Sequence, residues 1–66
     1  MEPHVERMLN EQKELCEKVE KLRLFIEENP IFGNLPQEEQ HDMRMQLNAM
    51  EKSSTILQSR IERATA

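Results

Sequence analysis

The chain has few of the residue types that form disulfides, metal sites and phosphate-binding loops. It has no tryptophan or tyrosine, and it has only one glycine and one cysteine among 66 residues. A single cysteine forms no intramolecular disulfide and fits a reducing compartment. His4 and His41 have no cysteine or carboxylate at metal-ligand spacing, so we expect no metal site. One glycine cannot build a phosphate-cradling loop, which removes the common nucleotide-hydrolysing motifs.

Catalysis, membrane insertion and non-specific nucleic-acid binding are also unexpected. The run Ser53-Ser54-Thr55 has no base beside it for nucleophilic chemistry, so we predict a non-enzyme without a cofactor. No apolar run approaches 18 residues and no signal-peptide pattern opens the sequence, so we expect a soluble cytoplasmic protein. The formal net charge of −4 leaves no overall basic surface for DNA or RNA.

The only glycine and two of the three prolines fall in one short stretch, residues 29–36. Proline lacks the amide hydrogen that a helix interior needs, and it biases the preceding residue away from helical angles. Asn29, which precedes Pro30, should therefore end one helix, and Pro36 suits the first turn of the next. The sequence predicts an all-α chain with helices over residues 3–29 and 36–64.

The connection between the two helices is predicted to be a turn over residues 30–35. Gly33 and Asn34 are the residues that adopt positive φ most readily, so we expect the chain to reverse there. The whole chain is then one domain, an antiparallel helical hairpin.

Each predicted helix carries an apolar seam whose members alternate by three and four residues, as in coiled coils. The first seam has one polar member, a glutamine, and the second has one serine. Folding the chain at the turn sets each seam against the other in a consistent register along its whole length. The first seam is Val5, Met8, Gln12, Leu15, Val19, Leu22 and Ile26; the second is Met43, Leu47, Met50, Ser54, Leu57, Ile61 and Ala64.

Two helices bury only one seam, which is too little apolar surface to offset the entropy of ordering the chain. A further stripe on the second helix combines small, apolar and polar side chains. Such a stripe is unnecessary in an isolated hairpin, so we predict that copies associate into a homo-oligomeric helical bundle. The stripe consists of Gln46, Ala49, Ser53, Ile56, Arg60 and Arg63.

Three arginines, one turn aromatic and one glutamine are the candidate ligand-binding groups. Pairing of the helix flanks places Arg23 near Arg44, and two guanidinium groups together bind phosphate well. The alternative is that neighbouring glutamates neutralise Arg23, and that Arg60 pairs with Glu11 or with a neighbouring subunit. Phe32 either caps a pocket between copies or closes the end of its own bundle. The full candidate set is Arg23, Arg44, Arg60, Phe32 and Gln46.

The spacing of the packing residues resembles a family of very small helical-hairpin proteins encoded by tailed bacteriophages, including crAss-like phages. The resemblance spans nearly the whole chain. It is carried by Leu22-x-x-Phe25-Ile26, Asn29-Pro30-x-Phe32-x-x-Leu35, Gln46-Leu47-x-Ala49-Met50 and Leu57-x-x-Arg60-Ile61.

By architecture the chain is also similar to phage sponge proteins, oligomers that sequester nucleotide signals of bacterial immunity. This resemblance implies an anti-defence protein in the cytoplasm of an infected bacterium. It also implies a cyclic or ADP-ribose-type nucleotide as ligand, bound between copies without turnover. The alternative is a protein-interaction module that docks on and inhibits a host or phage protein.

Overall fold

A computed structural model describes residues 2–66. Its elements are α1 (Pro3–Glu28), α2 (Pro30–Asn34) and α3 (Gln37–Thr65), and the described residues contain no strand. The prediction of an all-α chain is therefore confirmed. The described part is a rod of 46 × 15 × 14 Å, in which α1 and α3 run antiparallel and pack on each other.

Asn29 separates α1 from α2 and serves both helices. Its backbone N–H donates to the carbonyl of Phe25, 3.2 Å away, which closes the last turn of α1. Its side-chain Oδ1 accepts from the N–H of Ile31 at 2.9 Å, which caps the start of α2. Asn29 itself is extended, at φ −86° and ψ 121°, as expected for a residue before proline.

The connection differs from the predicted turn. No residue between positions 2 and 66 has positive φ, so the expectation for Gly33 and Asn34 is wrong. The chain instead forms a single helical turn, α2, because Pro30 supplies a helical φ at its first position and Asn29 caps it. Direction changes at extended residues on both sides of this turn, namely Asn29, Leu35 and Pro36.

Gln40 holds the connection to the start of α3. Its side-chain Nε2 donates to the carbonyl of Leu35 at 2.9 Å and lies 3.4 Å from the carbonyl of Gly33. Pro36 occupies the N-cap position of α3, which begins at Gln37, one residue later than predicted. The two contacts of the Gln40 side chain engage carbonyls that the short α2 leaves without helical partners.

The predicted seams form the interface between α1 and α3. Four seam residues, Val5, Met8, Leu57 and Ile61, make a buried cluster where the N-terminus of α1 meets the C-terminus of α3. Val19 is also buried, while the other seam side chains are half-buried, apart from the exposed Ala64. No described side chain is less than 2% exposed, so this core is thin.

The polar seam residues meet near the middle of the rod. Gln12 Nε2 lies 3.2 Å from Ser54 Oγ, 3.3 Å from the Ser54 carbonyl and 3.3 Å from Gln58 Oε1. Gln12 Oε1 is buried, and the described residues give it no hydrogen-bond partner. A shifted register would lose these bonds and leave polar groups among apolar ones, so this layer favours one alignment of the helices.

Candidate ligand-binding site

Phe32 lies at the end of the rod where the chain reverses. It projects from α2 and is only 5% exposed, which makes it one of the best-buried side chains of the described residues. The Phe32 and Phe25 rings pack edge to face, with centroids 6.2 Å apart and an interplanar angle of 83°. This geometry is favourable for aromatic pairs and holds the Phe32 ring in place.

Arg44 covers the Phe32 ring. The central carbon of its guanidinium lies 5.2 Å from the ring centroid, within the range of a cation–π interaction. Side chains on a helix lean towards its N-terminus, so Arg44 leans towards the connection and reaches Phe32. Arg44 is exposed, and among residues 2–66 no carboxylate lies within ion-pair distance of it.

This pair presents a held cation to solvent. Contact with the ring restrains the guanidinium, while its N–H donors point outwards in the guanidinium plane and suit an oxyanion. A guanidinium plane is also a surface on which a nucleobase can stack. Phe32 is too buried to stack on a ligand itself, and its contribution is to support Arg44.

Arg23 has a different partner from the predicted one. Its Nη2 lies 3.2 Å from Glu51 Oε1, and both side chains are nearly half exposed. The N-terminal lean of side chains explains this too: on antiparallel helices, Arg23 and Arg44 lean in opposite directions and away from each other. The structure therefore brings Arg44 to Phe32 and Arg23 to Glu51. An exposed pair of this kind contributes little stability, about 0–1 kcal/mol.

Arg60 lines a groove between α1 and α3 on the side of the rod. The groove has a volume of about 440 Å³ and carries charges of both signs, with two carboxylates and two cations along its walls. Glu11 and Arg60 both line it, and within residues 2–66 they form no ion pair with each other. Its lining residues are Glu11, Glu14, Leu15, Lys18, Ser53, Ile56, Leu57 and Arg60.

The two carboxylates of this groove oppose the binding of an anion there. Gln46 lies apart from both places, on the exposed surface of α3. The sequence reasoning missed Glu51 as the partner of Arg23 and Phe25 as the support of Phe32. The direction in which helical side chains lean was the signal for the first of these.

Within residues 2–66, no three His, Cys, Asp or Glu side chains come together as a potential metal site. None of the helices there combines the length and apolar character that crossing a bilayer requires.

The model of a protein family described as Sequestin matches residues 2–63, which is nearly the whole chain. No curated protein and no solved structure matches the chain.

Proposed function

Because the chain belongs to the Sequestin family, we propose that it binds a small nucleotide signal and withholds it from the receptor that would read it. The name of the family suggests sequestration of a ligand, which is a binding role without turnover. We propose a cyclic or ADP-ribose-type nucleotide as the ligand, and an infected bacterium as the setting in which a phage-encoded copy acts. The action is then stoichiometric, so each copy of the site removes one signal molecule.

The observation that carries this proposal is the guanidinium of Arg44 held over the buried Phe32 ring. A nucleotide signal offers phosphates and a flat base, and a restrained guanidinium suits both, through its N–H edge and its open face. The net acidity of the chain does not oppose this, because a small anion requires only a local cation.

We propose that the antiparallel hairpin is the unit of a homo-oligomeric bundle and that neighbouring copies complete the pocket. The thin core supports this, since no described side chain is fully buried and several large apolar side chains are exposed. In such an assembly Arg23, Arg60 and Gln46 remain candidates for further contacts with the ligand. Arg44 and Phe32 form its centre.

Titration calorimetry tests the proposal. The protein is titrated with cyclic dinucleotides, cyclic trinucleotides and cyclic ADP-ribose isomers, and one class is expected to bind with a stoichiometry set by the subunit number. Native mass spectrometry of the same sample gives the number of subunits and any ligand retained through purification. Absence of binding across the panel, with the protein folded and assembled, contradicts the proposal.

A second candidate function is docking on a host or phage protein, followed by its inhibition. It is favoured by exposed apolar side chains that neither helix packs against, including Leu24 at 46%, Met45 at 54% and Ile56 at 61%. Exposed apolar surface of this kind is typical of protein interfaces. Pull-down from host lysate separates the two functions. A stoichiometric protein band favours docking, whereas a co-purified ultraviolet-absorbing small molecule favours sequestration.

A further inference from the structure

The exposed stripe on α3, given above as residues 46–63, continues towards the start of the helix. Its spacing continues by three and four residues to both ends of the helix, where it ends in acidic side chains on one side and basic ones on the other. Every member is exposed. From Asp42 onwards, each member lies one position before a residue of the α1-facing seam, so the stripe is turned about 100° from that seam. The stripe is Glu39, Asp42, Gln46, Ala49, Ser53, Ile56, Arg60 and Arg63.

Two copies of the stripe are complementary to each other when they run antiparallel. Rotation by a half-turn about the point midway between Ala49 and Ser53 places every member opposite another member. The two acidic residues then face the two basic ones, the glutamine faces the isoleucine, and the alanine faces the serine. In an antiparallel helix pair, the a positions of one helix lie opposite the d positions of the other, and each pair of stripe residues matched here joins an a and a d position. The matched pairs are Glu39 with Arg63, Asp42 with Arg60, Gln46 with Ile56, and Ala49 with Ser53.

We propose that two copies of this chain pack α3 against α3, antiparallel, along this stripe. The proposal deepens the assembly part of the proposed function by naming the surface and its symmetry. Ala49 and Ser53 lie at the two-fold axis, where small side chains let the helix backbones approach. The exposed Ile56 is covered there by the partner's α3, beside the groove that Ile56 also lines.

Charge determines the direction of packing. Within residues 2–66, none of the four charged stripe residues has an ion-pair partner in its own chain. Antiparallel packing gives each of them an opposite charge on the other copy. Parallel packing in register would set carboxylate against carboxylate at one end and guanidinium against guanidinium at the other, which is unfavourable. The occupant of this surface is thus a second, reversed copy.

This interface and the ligand site use different residues at their centres. Arg60, a candidate for ligand binding, would face the partner's Asp42, so its role in holding an anion is reduced. Arg44 is not a member of the stripe and stays available above Phe32. A failed nucleotide titration would therefore leave the interface unaffected, and loss of the interface would not remove the Arg44 contact.

Charge exchange tests the interface. One variant carries Arg60→Glu and Arg63→Glu, which makes both ends of the stripe acidic; the other carries Glu39→Arg and Asp42→Arg, which makes both ends basic. Each alone should self-associate about tenfold or more weakly than the parent by sedimentation equilibrium, because four attractive contacts become repulsive. An equimolar mixture should recover association as a mixed dimer, since all four contacts become attractive again. Undiminished self-association of either variant overturns the proposal, as does a helical mixture that does not associate.

The new charges in those variants oppose the helix dipole, which lowers helix stability. A second test of the interface therefore changes no charge. In a Cys16→Ser background, chains carrying Ala49→Cys are mixed with chains carrying Ser53→Cys under oxidising conditions. These positions face each other across the axis, so the mixed disulfide dimer should predominate over both homodimers. Asn48→Cys, which lies off the stripe, replaces Ala49→Cys in the control and should give little mixed dimer. Equal crosslinking at both positions overturns the proposed register.

Discussion

Arg44 and Arg23 show how the surroundings of a residue give one side chain a role that another of the same type lacks. Both are exposed arginines on the flanks of antiparallel helices. Arg23 is engaged by Glu51, whereas Arg44 lies on the Phe32 ring with its N–H groups free of carboxylates among the described residues. A guanidinium that is already paired must give up its carboxylate to bind an anion. Arg44 does not have to, so it is the stronger candidate.

We expect Arg44→Lys to weaken binding of the identified nucleotide by about tenfold or more, because lysine keeps the charge but loses the planar fork and its contact with Phe32. Helix content should be unchanged. The matched control is Lys52→Gln, which removes an exposed cation elsewhere on α3 and should leave affinity within about twofold. Calorimetry measures both variants, and unchanged affinity in Arg44→Lys would remove Arg44 from the site.

Gly33 gives a prediction on which the sequence pattern and the structure disagree. The structure places Gly33 in α2 without positive φ, and a Cβ added there would meet no atom within 4 Å. We therefore expect Gly33→Ala to stabilise the fold by about 0.5–1 kcal/mol, since alanine loses less backbone entropy on folding. Chemical denaturation measures the change. A destabilised Gly33→Ala would instead favour the positive-φ turn.

At the scale of elements, α2 depends on a cap more than on its own length. A helix of five residues has little intrinsic stability, and the side chain of Asn29 provides the first hydrogen bond to it. The connection therefore behaves as a unit in which Asn29, Pro30 and Gln40 act together.

Asn29→Ala should reduce the free energy of unfolding by about 1 kcal/mol, because it removes the side-chain acceptor for the N–H of Ile31. Asn48→Ala is the matched control. It makes the same chemical change on the exposed face of α3, where alanine is the better helix former, so stability should be unchanged or slightly higher. Equal effects of the two substitutions in denaturation experiments would deny Asn29 its capping role.

The α1–α3 interface can be tested by comparing a charge introduced at a seam residue with the same charge at a nearby exposed residue. Leu22→Asp puts a carboxylate in the half-buried seam and should lower helix content and stability by several kcal/mol. Leu24→Asp makes the same change two residues away, at a side chain that is 46% exposed, and should cost less than about 1 kcal/mol. Circular dichroism during denaturation compares them. A folded Leu22→Asp variant with parental stability would contradict the seam.

At the scale of the whole molecule, the rod has a large surface for the apolar volume that it encloses. It is about 15 Å thick, and its best-buried side chains keep a few per cent of their surface exposed. Small domains of this size rarely gain enough from a single seam to fold alone. The association between copies that we propose would provide the missing burial and would tie stability to concentration.

The melting temperature should therefore rise with protein concentration, because an assembly that forms only from folded chains is favoured by mass action. Circular dichroism melts over a hundredfold range of concentration, paired with sedimentation velocity, measure this. The parent is expected to shift by several degrees. The Arg60→Glu, Arg63→Glu variant of the stripe should shift less. A monomer that melts at one temperature throughout this range would contradict the homo-oligomer.

The features that the sequence by itself determined are those that depend on neighbours within one or two helical turns. Proline chemistry around Asn29 and Pro36 placed the helix ends to within one residue, and the three–four spacing identified which side chains are withdrawn from solvent. The membership of the chain in an all-α class follows from the same local rules.

Only the tertiary structure decided which long side chains meet. Whether Arg23 reaches Arg44 or Glu51 depends on the direction in which each side chain leans once the helices are aligned, and this choice was open until both helices were in place. The conformation of residues 30–34 was not predicted either, although the contacts that fix it are local ones, made by Asn29 and by Gln40, seven residues beyond Gly33. Contacts of flexible side chains and the conformations of short segments have small local energies, so the surrounding packing selects among them.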